Sequence, residues 1–228
     1  MFNRRVIIGL LWLIAFAGAL AVDRQIAQHS REQGWEKPSS RRNETTGVRR
    51  APWPASTHRL AEVLKFPGSY WATAAIALAV LALHAQRGRG AVIVAVAGLL
   101  TGVNSLIKWI AGRRRPVTGT DPFEFDLFVG GLPGLFGAES NLSFPSGHAC
   151  LAFANAAALA ILLPRWRWLF FAVAAVTAIE RVVENAHFAS DAVAGAALGV
   201  LCAHLSHYTA ERWMRRSGQP VAFQPAAH

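Results

Sequence analysis

The residues of this chain that can do chemistry fall into three short polar stretches. In Ser143-Phe144-Pro145-Ser146-Gly147-His148 a polar, Gly-rich loop closes and an apolar helix opens, running from about Ala149 to Leu163. Pro145 suits a first helical turn, where its missing N–H is not needed. Ser146 and Gly147 leave backbone N–H groups uncovered, and Gly147 lets another group come close to the chain. Such a helix start attracts anions, because its unsatisfied donors and the helix dipole both favour negative charge. His148 adds a titratable group one residue later. Read alone, the stretch could be no more than a helix cap.

The second stretch is Lys108-Trp109-Ile110-Ala111-Gly112-Arg113-Arg114-Arg115-Pro116. Lys108 lies within the end of a hydrophobic helix, where an ionisable group is costly and marks a functional site. Arg115 follows about two helical turns later, so both cations can reach one spot. The alternative is snorkelling of Lys108 to the headgroups, with the arginines on acidic lipid. The third stretch runs from Glu180-Arg181 through Glu184-Asn185-Ala186-His187 to Ser190-Asp191. A carboxylate such as Asp191 beside His187 fixes the imidazole tautomer and raises its basicity. A headgroup-contacting loop with Ser190 as helix N-cap explains Ser190 and Asp191, but not Arg181 with His187.

The elements that must position these residues are apolar blocks. Of the 228 residues 53% are hydrophobic, and several blocks approach the ~20 residues that span a bilayer. The formal charge of +10 sits in the gaps between blocks, without an aromatic-interleaved basic motif. That distribution points to a membrane and away from nucleic acid. Six spans are expected: Val6 to Val22, Tyr70 to Ala85, Ala91 to about Ile110, Ala149 to Leu163, Trp166 to about Val183, and Ala189 to Leu205. The fold class is therefore all-α, an integral membrane bundle of about six transmembrane helices.

Arg4 and Arg5, Arg87 and Arg89, Arg165 and Arg167, and Arg212, Arg215 and Arg216 all fall on one side if the spans alternate. By the positive-inside rule that side is cytoplasmic, and the three polar stretches share the external face. Trp12, Trp71, Trp109, Trp166, Trp168 and Trp213 sit near span ends, as an interfacial belt would. The expected division is an anchor helix over 1–22 (or a signal peptide ending near Ala19-Leu20-Ala21), an external polar loop over 23–68, a transmembrane core over 69–208 and a cytoplasmic tail over 209–228. Within the polar loop, Leu60, Val63 and Leu64 recur at helical spacing, which predicts a short interfacial helix between Ser56 and Phe66. The sequons at Asn43 and Asn141 are given no role. Cys150 and Cys202 lie at different depths of two blocks and are not expected to form a disulfide.

Together the three stretches resemble the type-2 phosphatidic acid phosphatase superfamily. Lys108 precedes Arg115-Pro116 by six intervening residues; Pro145-Ser146-Gly147-His148 follows; Arg181 then stands five intervening residues before His187, and His187 three before Asp191. The resemblance spans Lys108 to Asp191 and implies hydrolysis of a lipid phosphate or diphosphate through a phosphohistidine, with no metal and no other cofactor. On the matching positions His187 would be the nucleophile, oriented by Asp191, and His148 would protonate the leaving oxygen and later activate water. Lys108, Arg115, Arg181, Ser146 and the Gly147 N–H would hold the phosphoryl oxygens. A lipid-to-lipid phosphotransferase would use the same residues and remains the alternative.

The resemblance also implies a lipid phosphate as partner, the bilayer as environment, and a bacterial inner (plasma) membrane with the site on the periplasmic or external side. No nucleic acid partner is expected, and the oligomeric state is open. Polyprenyl diphosphate, phosphatidate, phosphatidylglycerophosphate and lipid A phosphates all fit. The apolar, Gly-rich run from Phe128 to Gly137 is a candidate for dipping into the interface beside the site. One position departs from the family: Glu180 stands where a serine is usual. An ionised carboxylate there would repel substrate, so Glu180 must be protonated, turned away or neutralised by a cation; adjacent helix positions differ by about 100°, so it need not share the face of Arg181. One reading pairs it with Arg113 or Arg114 at the rim, and the other takes it as a tolerated substitution near the headgroups.

Overall fold

The computed structural model describes residues 4–33, 55–83, 87–116, 121–129 and 141–216. The Asn43 sequon, the run 130–137 and the tail from residue 217 lie outside them. Among the described residues the fold is all-helical, with one isolated antiparallel bridge between Arg114 and Leu142. The helices are α1 (Arg4–Glu32), α2 (Ala55–Lys65), α3 (Tyr70–Leu83), α4 (Arg87–Leu100), α5 (Val103–Ala111), α6 (Gly147–Leu162), α7 (Arg167–Val183) and α8 (Ala189–Arg216).

The six apolar blocks all become helix, with two irregularities. Thr101 and Gly102 interrupt the third block and separate α4 from α5, although Gly88–Ala111 is long and apolar enough as a whole to cross a membrane. The Thr101 hydroxyl donates to the Gly98 carbonyl at 2.6 Å, taking up an acceptor at the break. Val6–Glu32 and Ala189–Arg216 also have the length and hydropathy of a span, while α6 is a shorter apolar helix. The helical stretch Arg59–Gly68 meets α3 at a bend of 59°, a broken span or a re-entrant turn. Large apolar side chains face outward around the bundle, among them Ile14, Trp71, Leu83, Leu99, Trp168 and Leu201. A surface so apolar is suited to hydrocarbon.

α6 is the hub. Its Ala149, Ala152, Ala154, Ala156, Ala157 and Ala158 are buried, and it packs against α8, α7, α4 and the 3-10 turn Phe66–Gly68. Small side chains let neighbouring backbones come close. α8 exploits this most: a Cβ on Gly195 would fall 2.4 Å from the Ser146 carbonyl oxygen, and one on Gly199 would fall 2.0 Å from that of Cys150. Neither position has room for a side chain. The Gly195-x-x-x-Gly199 pattern is the small-residue seam of close-packed membrane helices, and it went unused in the sequence reading. Cys150 and Cys202 are free and buried, and, contrary to the depths expected from their places in two blocks, their thiols meet across this same seam.

Polar groups cross-link the helices. The Asn155 amide of α6 donates to the Pro67 carbonyl and its oxygen accepts from the Thr73 hydroxyl, at 3.2 and 3.0 Å. Thr177 of α7 donates to the Leu64 carbonyl at 2.7 Å, and Ser206 of α8 to the Ile93 carbonyl at 2.8 Å. In an apolar surrounding each such bond takes up a group that would otherwise be unsatisfied.

One expectation needs correction here. α1 does not stop at Val22 but runs unbroken to Glu32, so the stretch expected to begin an irregular loop is helical. Its polar appearance hid a buried face: Asp23, Ala27 and Ser30 recur at helical spacing and are all enclosed by the bundle. The interfacial helix does exist as α2, with Leu60 and Val63 exposed. It also lies against α7, and the following turn presses on the start of α6: a Cβ on Gly68 would come 2.3 Å from the His148 carbonyl oxygen.

Candidate active site

The C-termini of α5 and α7 and the N-termini of α6 and α8 converge at one end of the bundle, and the three polar stretches meet there. Gly112 ends α5 in the left-handed region (φ 61°), its N–H returning to the Lys108 carbonyl. There a glycine is required both by its backbone conformation and by the Asp126 carbonyl oxygen, 1.7 Å from any Cβ it might carry. The chain then runs extended through Arg113–Arg115 alongside Asn141–Ser143. Ser143 N–H donates to the Arg113 carbonyl at 2.7 Å and Arg115 N–H to the Asn141 carbonyl at 3.0 Å.

These contacts join the first motif to the second. Lys108 Nζ donates to the carbonyls of Leu142 and Ser143 at 3.0 and 3.2 Å, and Arg115 Nε to the Leu142 carbonyl at 3.3 Å. Both cations thus brace the loop that delivers the α6 N-terminus. Ser146, fully buried, is the N-cap of α6, and its hydroxyl accepts from the Ala149 N–H. Asn104, one helical turn before Lys108, sets its amide nitrogen 3.4 Å from where a Gly147 Cβ would stand.

The third motif is tied in through the backbone: Ser146 N–H donates to the Asp191 carbonyl at 3.0 Å. Asn185, in the left-handed region at φ 56°, terminates α7, a role an asparagine can take. The chain turns back so that His187 N–H donates to the Arg181 carbonyl at 3.2 Å. His187 is buried, with Nδ1 3.8 Å from Asp191 Oδ2. At that distance the carboxylate faces the ring nitrogen without a hydrogen bond, and Nδ1 has no other hydrogen-bond partner. Nε2 is the nitrogen left for chemistry.

Charge surrounds both imidazoles. His148 lies within electrostatic reach of Arg181, Lys65, Arg115 and Lys108, and His187 within reach of Lys108 and Arg115. Burial pushes His187 down to about 3; Lys108 and Arg115 push the same way, while Asp191 opposes them. His187 is therefore neutral at neutral pH. Burial and the neighbouring Arg181 also lower Arg115, against the pull of Asp191.

Every residue singled out from the sequence — Lys108, Arg115, Ser146, Gly147, His148, Arg181, His187 and Asp191 — thus falls in this one region. Two expectations about their neighbours fail. Glu180 does not pair with Arg113 or Arg114: it takes Arg181 itself, Nε to Oε2 at 2.8 Å and Nη2 to Oε1 at 3.2 Å, and Glu184 joins on Nη2. The adjacent positions converge because the long Arg181 side chain folds back. Arg113 turns inward instead, to Asp191, Ser190 and Asp23, while Arg114 is exposed. Ser190 is not the N-cap of α8 either; its N–H donates to Asp23 of α1 at 2.9 Å. Asp23 is the residue the sequence reading missed, and its spacing to Ala27 and Ser30 was the available signal.

Comparison with known proteins agrees with this geometry. Over 106 residues the chain is 39% identical to the lipid A 1-phosphatase of Rhizobium johnstonii, covering 46% of this chain and 40% of that one. The lipid A 1-phosphatase of Rhizobium etli is likewise 39% identical over 106 residues, which make up 42% of its length. The matches thus span well under half of these relatives. The crystal structure of a PAP2-type phosphatidylglycerolphosphate phosphatase from Bacillus subtilis superimposes with a TM-score of 0.57 over 92% of this chain and 98% of that one, at 19% identity, and so shares the fold. Residues 89–215, which carry all three motifs and the helices that hold them, match the PAP2 superfamily, and the chain belongs to it.

Proposed function

We propose that this protein is a membrane-embedded hydrolase that removes phosphate from a lipid phosphate or diphosphate through a phosphohistidine on His187. The observation that carries the reading is the arrangement around that residue: a neutral, buried imidazole with Asp191 behind Nδ1 and the cations Lys108 and Arg115 within reach.

The chemistry follows from positions. Lys108, Arg115 and Arg181, with the Ser146 hydroxyl and the Gly147 N–H at the start of α6, hold the phosphoryl oxygens. Spread cationic charge of this kind is most of what phosphoryl transfer asks of a protein. His187 Nε2 attacks phosphorus and the P–O bond to the lipid breaks. His148, protonated once the bound phosphate's negative charge offsets the cations around it, gives its proton to the departing oxygen, and Asp191 stabilises the positive imidazole of His187. His148 then takes a proton from water, whose oxygen attacks phosphorus; the P–N bond breaks, phosphate leaves and both histidines return to their starting states. The protein's own cations supply the charge, so the reaction proceeds without a metal ion.

On this reading the site lies on the external face; the positive-inside rule supports it, because the short basic segments lie at the opposite end of the bundle. For a bacterial inner membrane this is the periplasmic side. Domain roles follow: residues 69–208 form the catalytic core, and the N-terminal helix and α2 are its supports. Lipid A carrying a 1-phosphate is the first substrate to try, because the named relatives act on it. The test is phosphate release by purified protein in detergent with excess EDTA, across lipid A, phosphatidate, phosphatidylglycerophosphate and polyprenyl diphosphate. Turnover of at least one of them, abolished by His187→Ala and by His148→Ala, is expected. Complete loss in EDTA with recovery in Mg²⁺ would overturn metal independence, and wild-type rates in either variant would overturn the assignment of roles.

A further inference from the structure

Arg113 is the largest fully enclosed side chain among the described residues, and a guanidinium sealed from water is costly unless it is paired; here both terminal nitrogens are paired and only Nε lacks a hydrogen-bond partner. Its Nη1 donates to Asp191 Oδ1 at 2.5 Å and to the Ser190 hydroxyl at 2.7 Å; its Nη2 donates to Asp23 Oδ2 at 2.8 Å. The Phe188 ring lies 4.2 Å from its guanidinium carbon and the Phe125 ring 5.4 Å. Asp23 comes from α1, and both its oxygens are engaged by Ser190: Oδ1 accepts the N–H, and Oδ2, shared with Arg113, accepts the hydroxyl. One cation and two carboxylates are thus locked together at the first turn of α8.

This cluster reaches the reacting centre through Asp191. Arg113 occupies Oδ1, and the Phe188 N–H holds Oδ2 at 2.8 Å. The carboxylate cannot rotate, and Oδ2 is the oxygen presented to His187 Nδ1. Arg113 also takes up part of the carboxylate's charge, which would otherwise act in full on the imidazole. We infer that Arg113 and Asp23 form a buried clamp that holds Asp191 in register beneath His187, making the N-terminal helix α1 part of the machinery that positions the nucleophile. The inference rests on reading His187 as the nucleophile and Asp191 as its orienting carboxylate. Arg113 and Asp23 are positioning residues: neither reaches the substrate. A purely structural role would be to anchor α1, and the two differ in what a variant loses.

The test uses the full chain in detergent with lipid A in mixed micelles, and inorganic phosphate as a competing ligand. Asp23→Asn and Arg113→Lys should lower kcat by about 10- to 100-fold, the scale of a small misplacement of a reacting group. KM and the phosphate inhibition constant should stay within about threefold, because the phosphate-holding cations are untouched. The apolar double variant Arg113→Met with Asp23→Leu guards against misfolding, since it removes the cation and one carboxylate together. It should keep kcat low even where melting temperature recovers. Its acid limb should move to higher pH, because Asp191 of α8 then acts undiluted on His187, against the Lys108 of α5 and the Arg115 of the extended segment that still face it. Wild-type kcat in folded Asp23→Asn and Arg113→Lys would overturn the clamp.

A readout independent of turnover is the ¹⁵N spectrum of His187. The clamp predicts a single Nδ1–H tautomer in the wild type and a mixed or protonated ring in the variants. An unchanged His187 signal in folded variants overturns the clamp whether or not lipid is hydrolysed. A His187 signal that responds, in a wild type that hydrolyses no lipid phosphate, overturns the activity reading alone.

Discussion

Glu180 and Arg181, neighbours in sequence, face each other through a two-bond fork, Nε to Oε2 at 2.8 Å and Nη2 to Oε1 at 3.2 Å. The pair is buried, and Glu184 shares Nη2. The fork fixes the guanidinium plane through Nε and Nη2, and in the proposed mechanism Nη1 is the nitrogen that meets a phosphoryl oxygen. In the proposed site the fork also sets negative charge near the substrate; two unit charges about 8 Å apart at an effective dielectric of 20 repel by about 2 kcal/mol. Glu180→Gln keeps an acceptor oxygen and removes the charge. Steady-state kinetics should give a KM several-fold lower with kcat within about threefold of wild type. A raised KM would mean that the carboxylate's charge, and not only its shape, holds Arg181 in place.

Gly195 and Gly199 should tolerate nothing larger. A methyl group at either meets the Ser146 or Cys150 carbonyl oxygen at 2.4 or 2.0 Å, so the α6–α8 seam must open. Overpacking of this kind costs about 1–3 kcal/mol. Gly195→Ala should also lose activity, because it displaces Ser146, whose N–H is bonded to the Asp191 carbonyl. Gly18→Ala, with nothing within 4 Å of the added carbon, is the control. Equal melting temperatures for all three variants would refute the close seam.

Stability should fall with acidity in a way that depends on His187. The folded imidazole is pushed down to about 3, whereas in the unfolded chain it titrates near the ordinary 6.5. Between those values the unfolded state binds the extra proton, so stability is full above about pH 6.5 and is lost as pH falls toward 3. The limiting slope for one group is about 1.4 kcal/mol per pH unit. Melting temperature in detergent should therefore drop more steeply from pH 6.5 to 4.5 in wild type than in His187→Gln. Parallel curves would mean that the folded ring is not held neutral.

The site was legible in the sequence far more than its supports were. Lys108, Arg115, His148, Arg181, His187 and Asp191 stand at spacings set by the ends of helices, and a spacing survives in one dimension. Hydropathy likewise located the apolar blocks. What the sequence hid were contacts between distant elements. Asp23 meets Arg113 and Ser190 only because α1 packs against α8, and its helix continued through residues too small and polar to show an apolar stripe. Glu180 was assigned to the wrong arginine for a similar reason: sequence adjacency argued that it and Arg181 diverge, but a long side chain can fold back. Gly195-x-x-x-Gly199 was visible as a pattern and needed only to be read as a packing signal.

Sidedness can be tested on described, exposed positions. Glu124, in the segment between α5 and α6, and Gly88, near the start of α4, are both exposed. In whole cells Glu124→Cys should react with an impermeant thiol reagent and Gly88→Cys should not. The reverse pattern would put the chemistry in the cytoplasm and invert the topology.

The central claim is a covalent bond between phosphorus and His187. Rapid mixing of the purified protein with ³²P-labelled lipid A, followed by alkaline quench and peptide mapping, measures it directly. The account predicts an acid-labile, base-stable label on the peptide that contains His187, formed at least as fast as turnover and absent in His187→Gln. A protein that releases phosphate at its normal rate while no such label forms, or with the label on another residue, would contradict it.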